Sequence, residues 1–349
     1  MNQALDHGGV VDAANAEARP SRRFLLSVVV PAFNEQDVIE TAHRRFVAAL
    51  GSGPDFDLEL VYVDDGSRDR TPLLLAAIAA GDPRVCVVSL TRNFGQQAAI
   101  SAGLSQSAGD AIAVLDADLQ DPPEVVLQML EKWREGYAIV YGIRRRRDPF
   151  IRRLLYSGFY RVFSMLSDIP IPADSGDFCV IDRQAIDALN ALPEKRRFVR
   201  ALRAWYGGRQ YGLAYDREAR GAGRTKYSLG RYIDMAIDSI LSFSAKPLRL
   251  LGLAGFLLSL ASLAGFALLL ILQLLGLQPG PWARDAPGMT MLTLAVLLLS
   301  GVQLLSVAIL GGYLGQIYME AKGRPAYITA NLRPSRYRPA PDAPAQPPT

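Results

Sequence analysis

The sequence predicts an α/β domain with a mostly parallel sheet, followed by a C-terminal hairpin of two transmembrane helices. Between Ser27 and Glu135, short apolar runs alternate with segments of helical periodicity. This alternation is typical of parallel strands that are covered by helices on both faces. Half of all residues are hydrophobic, and two long apolar stretches near the C-terminus concentrate them. Each stretch exceeds the ~20 residues that are needed to cross a bilayer core.

The elements of the α/β domain follow one another in alternation along the chain. The predicted strands are Ser27–Pro31, Leu58–Val63, Arg84–Ser89 and Ala111–Leu115. The predicted helices are Glu35–Leu50, a helix that begins at Thr71 with threonine as its cap, Gln96–Ser107 and Pro122–Glu135. Because ligands bind beyond the carboxyl ends of parallel strands, the residues that follow each strand are the first candidates for a functional site.

Two stretches are predicted to cross a membrane. The first, at about 248–275, has only Arg249 and Gln273 as strongly polar side chains, and the second, at about 289–314, has no charge. The connection between them is short and rich in proline, so the two helices are expected to form a hairpin. Lysine and arginine flank the outer ends of the hairpin. The positive-inside rule therefore predicts a multi-pass protein with both termini in the cytoplasm.

Composition sets the remaining boundaries. Residues 1–23 lack the apolar core of a signal peptide and are predicted to be a disordered lead. The α/β domain is expected over residues 24–228, a juxtamembrane helix over 229–245, the two spans within 246–316 and a cytoplasmic tail over 317–349. The tail is rich in proline after Arg333 and is predicted to be disordered there.

Cysteine, histidine and net charge exclude several classes of function. Cys86 and Cys179 lie in apolar runs and are predicted to be reduced, buried thiols of a cytosolic domain. His7 and His43 have no partners at metal-ligand spacing, which argues against a His/Cys zinc site. The net charge is only +4, and the arginine cluster at 144–153 has no aromatic stacking motif. Nucleic acid is therefore not expected as a partner, and anionic lipid is favoured.

Two segments have one apolar face and basic flanks. They are Phe150–Leu166 and the stretch 229–241, and both are predicted to lie in the plane of the membrane interface. Packing against the sheet is the alternative that the sequence leaves open. Arginines at and before the first segment suit a lipid phosphate, because a guanidinium donates in pairs. The candidate lipid-phosphate-binding residues are Arg144, Arg147, Arg152 and Arg153.

The strongest chemical signal is the pair Asp116 and Asp118 at the exit of a buried strand. Residues two apart on a strand point the same way, so these carboxylates repel unless a cation lies between them. A hard divalent cation prefers oxygen ligands and commonly also holds substrate phosphates. Asp121 is predicted to cap a helix instead, because Pro122 follows it and Glu124 completes a capping box.

Several motifs in combination resemble the family 2 glycosyltransferases of the nucleotide-sugar-binding (GT-A) fold. They are Pro31-Ala32-Phe33-Asn34-Glu35, Asp64-Asp65-Gly66-Ser67 and Asp116-Ala117-Asp118. Within that family the chain is more similar to polyprenyl-phosphate glycosyltransferases, the dolichol-phosphate mannose synthase and bactoprenol glucosyltransferase type. The segments that carry this likeness are Leu90–Gln97, Asp116–Pro123, Asp174–Asp177, Arg220–Ser228 and Gly315–Pro325. The resemblance covers about Ser27 to Ile328.

The resemblance implies a role for each matched residue. The nucleotide-sugar-binding residues would be Pro31, Ala32, Asn34, Glu35, Asp65, Asp116, Arg220 and Lys226. The residues that hold Mg²⁺ or Mn²⁺ against the donor diphosphate would be Asp116, Asp118 and Gln120. The catalytic residues would be Asp118, Asp177 and Asp174, with Asp177 beside the reacting sugar and Asp174 as its alternative. Asn34 also suits the cap of a following helix, and the two roles are compatible.

The resemblance further implies an inverting, metal-dependent enzyme of a bacterial inner membrane. It would move one sugar from a nucleotide sugar to undecaprenyl phosphate, a polyprenyl phosphate. UDP-glucose is favoured as the donor because the C-terminal half is similar to the bactoprenol branch. GDP-mannose, UDP-galactose, UDP-N-acetylhexosamine and an aminoarabinose donor stay open. Related two-span enzymes form tetramers, so a homotetramer is one of the states that the resemblance implies.

Two alternative functions stay open. A processive polysaccharide synthase shares the nucleotide-sugar fold, but such enzymes carry a Gln-x-x-Arg-Trp segment that this sequence lacks. The nearest match, Arg203-Ala204-Trp205, has no glutamine three places before the arginine. A non-catalytic scaffold that binds a lipid carrier would explain the membrane helices, but not the carboxylate motif.

Overall fold

A computed structural model describes residues 23–51, 53, 55–145, 175–195, 197–217 and 288–333, together with isolated positions between 246 and 275. The chain divides into two compact units. The first unit contains the α/β domain and also the segment from Arg324 onward, and the second contains the long C-terminal helix.

The described part of the first unit consists of one sheet with helices on both faces. Its strands are β1 (Phe24–Ala32), β2 (Phe56–Asp64), β3 (Val85–Leu90), β4 (Ala111–Val114), β5 (Ile139–Arg144), β6 (Ser175–Asp182), β7 (Gln210–Tyr215) and β8 (Thr329–Arg333). Its helices are α1 (Ile39–Leu50), α2 (Thr71–Gly81), α3 (Gln96–Gln106), α4 (Val125–Arg134), α5 (Arg183–Ala191) and α6 (Val199–Tyr206).

The sheet has the strand order β7-β5-β6-β4-β1-β2-β3-β8. The pairs β1–β2, β1–β4, β2–β3 and β5–β7 are parallel. β6 runs antiparallel to both β4 and β5, and β8 runs antiparallel to β3. The mostly parallel sheet that the sequence predicts is therefore confirmed. Because β6 is reversed, its first residues lie at the edge where β4 ends.

Two apolar layers cover the two faces of the sheet. Val28 and Val30 of β1 face a core that includes Phe46 of α1, Leu75 of α2 and residues of α4. Val29, between them, faces the opposite core, to which α3, α5 and the start of α6 contribute. Burial on both faces explains why these strands read as continuous apolar runs without alternation. Both cysteines are buried free thiols, as predicted.

All four predicted strands and all four predicted helices of the α/β domain are present, but two predicted helix starts and one predicted cap are wrong. The helix expected from Glu35 begins at Ile39, and the helix expected from Pro122 begins at Val125. Thr71 is the first residue of α2 and not its cap, since no side chain caps this helix. Its N–H instead donates to Oδ1 of Asp69 at 2.9 Å, and its Oγ1 accepts from the N–H of Glu35 at 2.9 Å. The hydroxyl of Thr71 therefore bonds to the loop after β1 and does not cap α2.

The second unit contains α7 (Gly288–Ala321), a helix of 34 residues. At 1.5 Å per residue it is roughly 50 Å long. Within the part of the chain that the structure describes, the segment Leu299–Ala321 is the one helix long and apolar enough to cross a membrane, by length and composition only. The helix continues past the predicted end of the second span. The first predicted span lies largely outside the described residues, so the hairpin stays a prediction.

Candidate active site

The carboxyl ends of β1, β2 and β4 meet at one edge of the sheet, because these strands are parallel neighbours. β6 starts at the same edge, since Val114 of β4 pairs with Cys179 of β6 in antiparallel register. Continuing that register by two residues brings Asp116 opposite Asp177. The topology therefore unites the predicted metal motif with the predicted catalytic aspartate, which are far apart in the sequence.

The loop after β1 is fastened to the loop after β2. Asn34 has a left-handed backbone with φ of 55°. Its N–H donates to Oγ of Ser67 at 3.0 Å, and its Oδ1 accepts from the N–H of Arg68 at 2.9 Å. Asn34 is therefore not the cap of α1, whose first residue is Ile39. The N–H of Glu35 bonds to Thr71, at the end of the same loop. Asn34 and Glu35, both predicted to bind the donor, are therefore held in place at the sheet edge.

Asp65 connects the loop after β2 to the loop that leads into α3. Its Oδ1 accepts from the N–H of Phe94 at 2.7 Å and its Oδ2 from the N–H of Gly95 at 2.9 Å. Burial raises the pKa of Asp65, and the two N–H donors oppose that shift. Gly66 has φ of +67°, and a Cβ there would collide with the backbone of Arg92. The loop after β2 therefore contacts the loop before α3 directly, and Asp65 holds the two loops together.

Asp116 lies in a crowd of carboxylates. Its Oδ1 accepts from Nε2 of Gln96 at 2.8 Å. Burial, followed by the charge of neighbouring carboxylates, raises the pKa of Asp116 to about 7, while Arg144 opposes the shift. These neighbours are, in order of effect, Asp177, Asp121 and Asp118. Such an excess of negative charge is stable in its ionised form only when a cation neutralises it.

The donor set fits a divalent cation. Asp118 lies two residues after Asp116, and its Oδ1 accepts from the N–H of Gln120 at 3.1 Å. Over the described residues, no three His, Cys, Asp or Glu side chains form a group that could hold a metal ion. Two carboxylates with substrate phosphates are the usual ligands of Mg²⁺, and the cation would lower the charge that raises the pKa of Asp116.

Asp177 is the third residue of β6, and two side chains hold its carboxylate. Nε2 of Gln97 donates to its Oδ2 at 3.0 Å, and Nη2 of Arg200 donates to the same oxygen at 3.2 Å. Nε of Arg200 lies 3.4 Å from Oδ1. Gln97 also accepts, through Oε1, the N–H of Val199 at 2.9 Å. The first turn of α6 and the first turn of α3 therefore orient this carboxylate, whose side chain is 10% exposed.

Asp121 does not cap a helix, so that prediction is wrong. α4 begins at Val125, and no side chain caps it. The Asp121 side chain is 2% exposed and accepts from Oη of Tyr215 at 2.5 Å. Nε of Arg217 lies 3.2 Å from Oδ1, and Nη2 of Arg144 lies 3.5 Å from Oδ2. Burial, followed by the charge of Asp121, raises the pKa of Tyr215, so its phenol stays protonated as a donor.

The remaining predicted site residues divide into those that the structure describes and those that it does not. Pro31 is half-buried at the end of β1, and Ala32 is buried in the core. Arg144 ends β5 beside Asp121. The predicted residues that lie outside the described part of the chain are Asp174, Arg147, Arg152, Arg153, Arg220 and Lys226.

Sequence reasoning missed five side chains that contact the predicted site. They are Gln96, Gln97, Arg200, Tyr215 and Arg217. The two glutamines lie in Leu90–Gln97, a segment that carries the family resemblance. That resemblance is the signal from which a role for them could have been predicted. The other three follow from topology alone, because the strand β7 and the helix α6 return to the site from distant parts of the sequence.

Comparison with known proteins adds to this geometry. The model of the family described as glycosyl transferase family 2 matches residues 27–189. An uncharacterized glycosyltransferase of Bacillus subtilis, YkcC, is 42% identical over 310 residues, which cover 88% of this chain and 94% of that protein. The bactoprenol glucosyl transferase of Shigella phage SfV is 35% identical over 309 residues, which cover 88% of this chain and 98% of that protein.

Solved structures show a weaker likeness. A mannosyltransferase of Pyrobaculum calidifontis, PcManGT, in complex with GDP-Man and Mn²⁺, aligns with a TM-score of 0.47 and 18% identity. The alignment covers 85% of this chain and 89% of that one. This likeness is too low to add to the assignment, which depends on the family match and on the relatives aligned over nearly their whole length. The chain therefore belongs to glycosyl transferase family 2.

Proposed function

We propose that this protein transfers a single sugar from a nucleotide sugar to polyprenyl phosphate, with inversion at the anomeric carbon. The observation that carries the proposal is the meeting of Asp116, Asp118 and Asp177 at one sheet edge, with Arg144 beside them. Relatives named bactoprenol glucosyl transferase align with 87–88% of this chain and supply the class of acceptor.

The donor would lie across the carboxyl ends of β1, β2 and β4. In this proposal Asp116, Asp118 and Gln120 hold the divalent cation against the diphosphate. The nucleoside would face the loops after β1 and β2, where the predicted residues are Pro31, Ala32, Asn34, Glu35 and Asp65. The fixed backbone of these loops supports that role, since a pre-organised site loses less entropy when a ligand binds. Arg220 and Lys226 are proposed for the other side of the diphosphate, from sequence alone.

The reaction needs alignment and charge neutralisation more than proton removal. A phosphate monoester has its second pKa near 6, so the acceptor is largely dianionic near neutral pH. One of its oxygens attacks the anomeric carbon opposite the diphosphate. The new carbon–oxygen bond forms as the bond to the diphosphate breaks, and the electron pair departs with the nucleoside diphosphate. Mg²⁺ or Mn²⁺, when bound, neutralises the charge that develops there.

Asp177 is proposed to orient the sugar or the acceptor beside the reacting carbon. Gln97 and Arg200 hold its carboxylate, and the 10% of the side chain that is exposed stays available to a substrate. Asp174 remains the alternative to Asp177 for this role. Aligning two anionic substrates in this way replaces a bimolecular encounter by a reaction within one complex, which is where most of the rate enhancement is expected.

The membrane would bring the acceptor to this site. α7 contains a candidate span, and the sequence predicts a second one before it. We propose a multi-pass protein with both termini in the cytoplasm, whose amphipathic segments at 150–166 and 229–241 lie at the interface. The lipid-phosphate-binding arginines of this proposal are Arg144, Arg147, Arg152 and Arg153.

The proposal is tested with purified protein in detergent or nanodiscs. Labelled nucleotide sugar and undecaprenyl phosphate are supplied with Mg²⁺ or Mn²⁺, and the lipid product is identified by mass spectrometry. We expect one sugar on each lipid phosphate, no transfer after chelation of the metal, and no transfer by Asp118→Ala. The matched control is Asp187→Ala, because Asp187 is an exposed residue of α5 that pairs with Arg183. Transfer without metal, or an active Asp118→Ala variant, contradicts the mechanism.

The donor is proposed to be UDP-glucose, and a panel of donors tests this directly. UDP-glucose, UDP-galactose, UDP-N-acetylhexosamines, GDP-mannose and an aminoarabinose donor are compared at equal concentration. We expect the highest kcat/KM with UDP-glucose. Preference for another sugar changes the donor assignment but leaves the acceptor chemistry in place.

The two alternatives give different products in the same assay. A processive synthase would yield a ladder of oligosaccharides. Against it, Arg203 of the Arg-Ala-Trp segment is buried and donates to the carbonyl of Gly176 at 3.2 Å, which is a structural contact. A non-catalytic scaffold would yield no glycolipid, and a protein with both Asp116→Ala and Asp118→Ala would keep its biological output.

A further inference from the structure

We infer that Asp121 is a positioning residue that holds Arg144 and Arg217 as a paired binding site for the phosphate of the lipid acceptor. This inference rests on the proposed function and extends it, because the sequence offered Asp121 as a helix cap and gave Arg217 no role. It starts from the burial of one carboxylate among two guanidinium groups and a phenol.

The first step concerns the cost of burying Asp121. An ionised carboxylate that is withdrawn from water is stable only when charged partners and hydrogen bonds compensate it. Tyr215, Arg217 and Arg144 provide these contacts and divide the two oxygens between them. Asp121 thus holds all three of these side chains. Because it is buried and its oxygens are occupied, it does not itself contact a substrate.

The second step concerns the arginines. Each guanidinium has five N–H donors in a rigid fork. Arg217 contacts Asp121 through Nε, and Arg144 contacts it through Nη2. The side chains of Arg217 and Arg144 are 30% and 27% exposed, so neither is fully buried around Asp121. Two forks around one anion match the geometry of a phosphate group.

The third step concerns the space that Arg144 occupies. A Cβ on Gly176 would lie 2.8 Å from Nη2 of Arg144, so glycine at this position of β6 leaves room for the guanidinium. Tyr215 is held in turn by an edge-on ring contact with Phe178, at 5.2 Å between centroids. Its Oη lies 3.3 Å from Nε of Arg144. Three neighbouring strands therefore fix the orientation of the pair.

The fourth step identifies which phosphate this site receives. β5 and β7 are parallel, and Arg144 pairs in register with Tyr215. Both strands end there, and the sequence that follows each one leads to one of the two amphipathic segments predicted for the membrane interface. Because both chain segments are predicted to lead to the interface, we expect the phosphate of a lipid to reach these strand ends. The donor diphosphate is instead assigned to the Asp116–Asp118 side.

The inference predicts the sign of a change in KM. Asp121→Asn keeps the size of the side chain but removes its charge, and it sets an amide N–H₂ beside one of the arginines. If the arginines acted only through their charge, removing Asp121 would strengthen the binding of a phosphate and lower the acceptor KM. If their orientation matters, we expect the acceptor KM to rise about tenfold, the equivalent of one 1.4 kcal/mol step. The donor KM should not rise, since one carboxylate near Asp116 becomes neutral.

The experiment measures both KM values in wild type, Asp121→Asn and Arg217→Gln. Glu124→Gln serves as the control, because Glu124 is an exposed residue near Asp121 that pairs with Arg45. A raised acceptor KM in Asp121→Asn and Arg217→Gln, with an unraised donor KM, supports the inference. A lower or unchanged acceptor KM in Asp121→Asn overturns it. A rise in the donor KM alone also overturns it, because the arginines would then serve the diphosphate.

Two further measurements keep the outcome clear. Should Asp121→Asn fail to fold, Arg217→Gln and Tyr215→Phe provide the same comparison without removing the buried charge. Binding of undecaprenyl phosphate to wild type and to Arg217→Gln, measured without donor, tests the inference separately from catalysis. Absence of sugar transfer by wild type would contradict the proposed function, whereas equal binding of the lipid phosphate by both proteins would contradict only the inference.

Discussion

Asp177 and Asp121 are two carboxylates that both raise the pKa of Asp116, yet their surroundings differ. Asp121 is almost completely buried and is held by a tyrosine and two arginines from the ends of β5 and β7. Asp177 is 10% exposed, and Gln97 and Arg200 hold its carboxylate. The two aspartates therefore differ in how accessible the carboxylate is to a substrate.

This comparison separates two functions that a carboxylate performs in an active site. A carboxylate with almost no solvent access acts through the groups that it holds. A carboxylate that keeps some exposure is able to contact a substrate directly. The difference predicts that changes at Asp177 act on turnover, whereas changes around Asp121 act on binding and on stability.

The largest expected effect is that of Asp177→Asn. The substitution keeps the size of the side chain and removes the charge that would orient the reactants, so we expect kcat to fall about 100-fold. Initial rates at saturating donor and acceptor measure it. Melting temperature is the control and should change little. If kcat stays within twofold of wild type, exposure at this position does not mean contact with a substrate.

Arg200→Gln should have the next largest effect. It removes the cation behind Asp177 and leaves that carboxylate with Gln97 as a remaining partner, so we expect about a tenfold fall in kcat from the loss of one charge-assisted contact. Arg45→Gln is the matched control, because Arg45 is a surface arginine paired with Glu124. Equal activity of the two variants would show that Arg200 does not position Asp177.

Tyr215→Phe should act mainly on stability. The buried carboxylate of Asp121 loses its phenolic donor, and we expect the free energy of unfolding to fall by about 1–3 kcal/mol. Denaturant unfolding of the detergent-solubilised protein measures the change. Tyr211→Phe, at a half-buried position of the same strand, should cost less than about 0.5 kcal/mol. If both variants lose the same free energy of unfolding, the hydrogen bond from Tyr215 to Asp121 does not stabilise the fold more than an ordinary strand contact does.

The smallest expected effect concerns Asp116 in metal-free protein. Its pKa is raised to about 7 in the folded chain, above the value for an unfolded chain. The fold therefore binds the proton more tightly and loses stability as the pH rises through about 7. Asp116→Asn should melt at a higher temperature than wild type in the presence of a chelator, and this gap should grow between pH 6 and pH 8. A gap that shrinks over this range would contradict the shift.

Adding Mg²⁺ or Mn²⁺ extends that measurement. The cation should stabilise wild type at pH 8 and have a smaller effect on Asp116→Asn, because the variant lacks one charged ligand. Equal stabilisation of both proteins would remove Asp116 from the metal site.

The central fold was predictable because its signals are local. Four apolar runs and four intervening helical patterns lie in order from Ser27 to Glu135, and each run in the structure is a buried parallel strand. The later strands β5 to β8 carry no comparable alternation, and β6 is reversed within the sheet. No local pattern specifies that reversal, because it depends on which strands are neighbours.

Helix caps show the same limit on a smaller scale. Asp121, Pro122 and Glu124 match the capping box, and Thr71 matches a cap before proline. In the structure Asp121 accepts a hydrogen bond from Tyr215, which is 94 positions away. Thr71 accepts one from the N–H of Glu35, which is 36 positions away. A cap contributes about 1 kcal/mol, whereas an unpaired buried carboxylate costs several times more, so the tertiary contact prevails.

The sequence by itself determined the α/β fold class, the family and the positions of Asp116 and Asp118 at the exit of a strand, because periodicity and short motifs are local properties. Only the tertiary structure decided that Asp177 faces Asp116, that Gln97 and Arg200 orient it, and that Asp121 holds two arginines. These relations depend on strand order and direction, which arise from packing of the whole sheet and not from any segment of the chain.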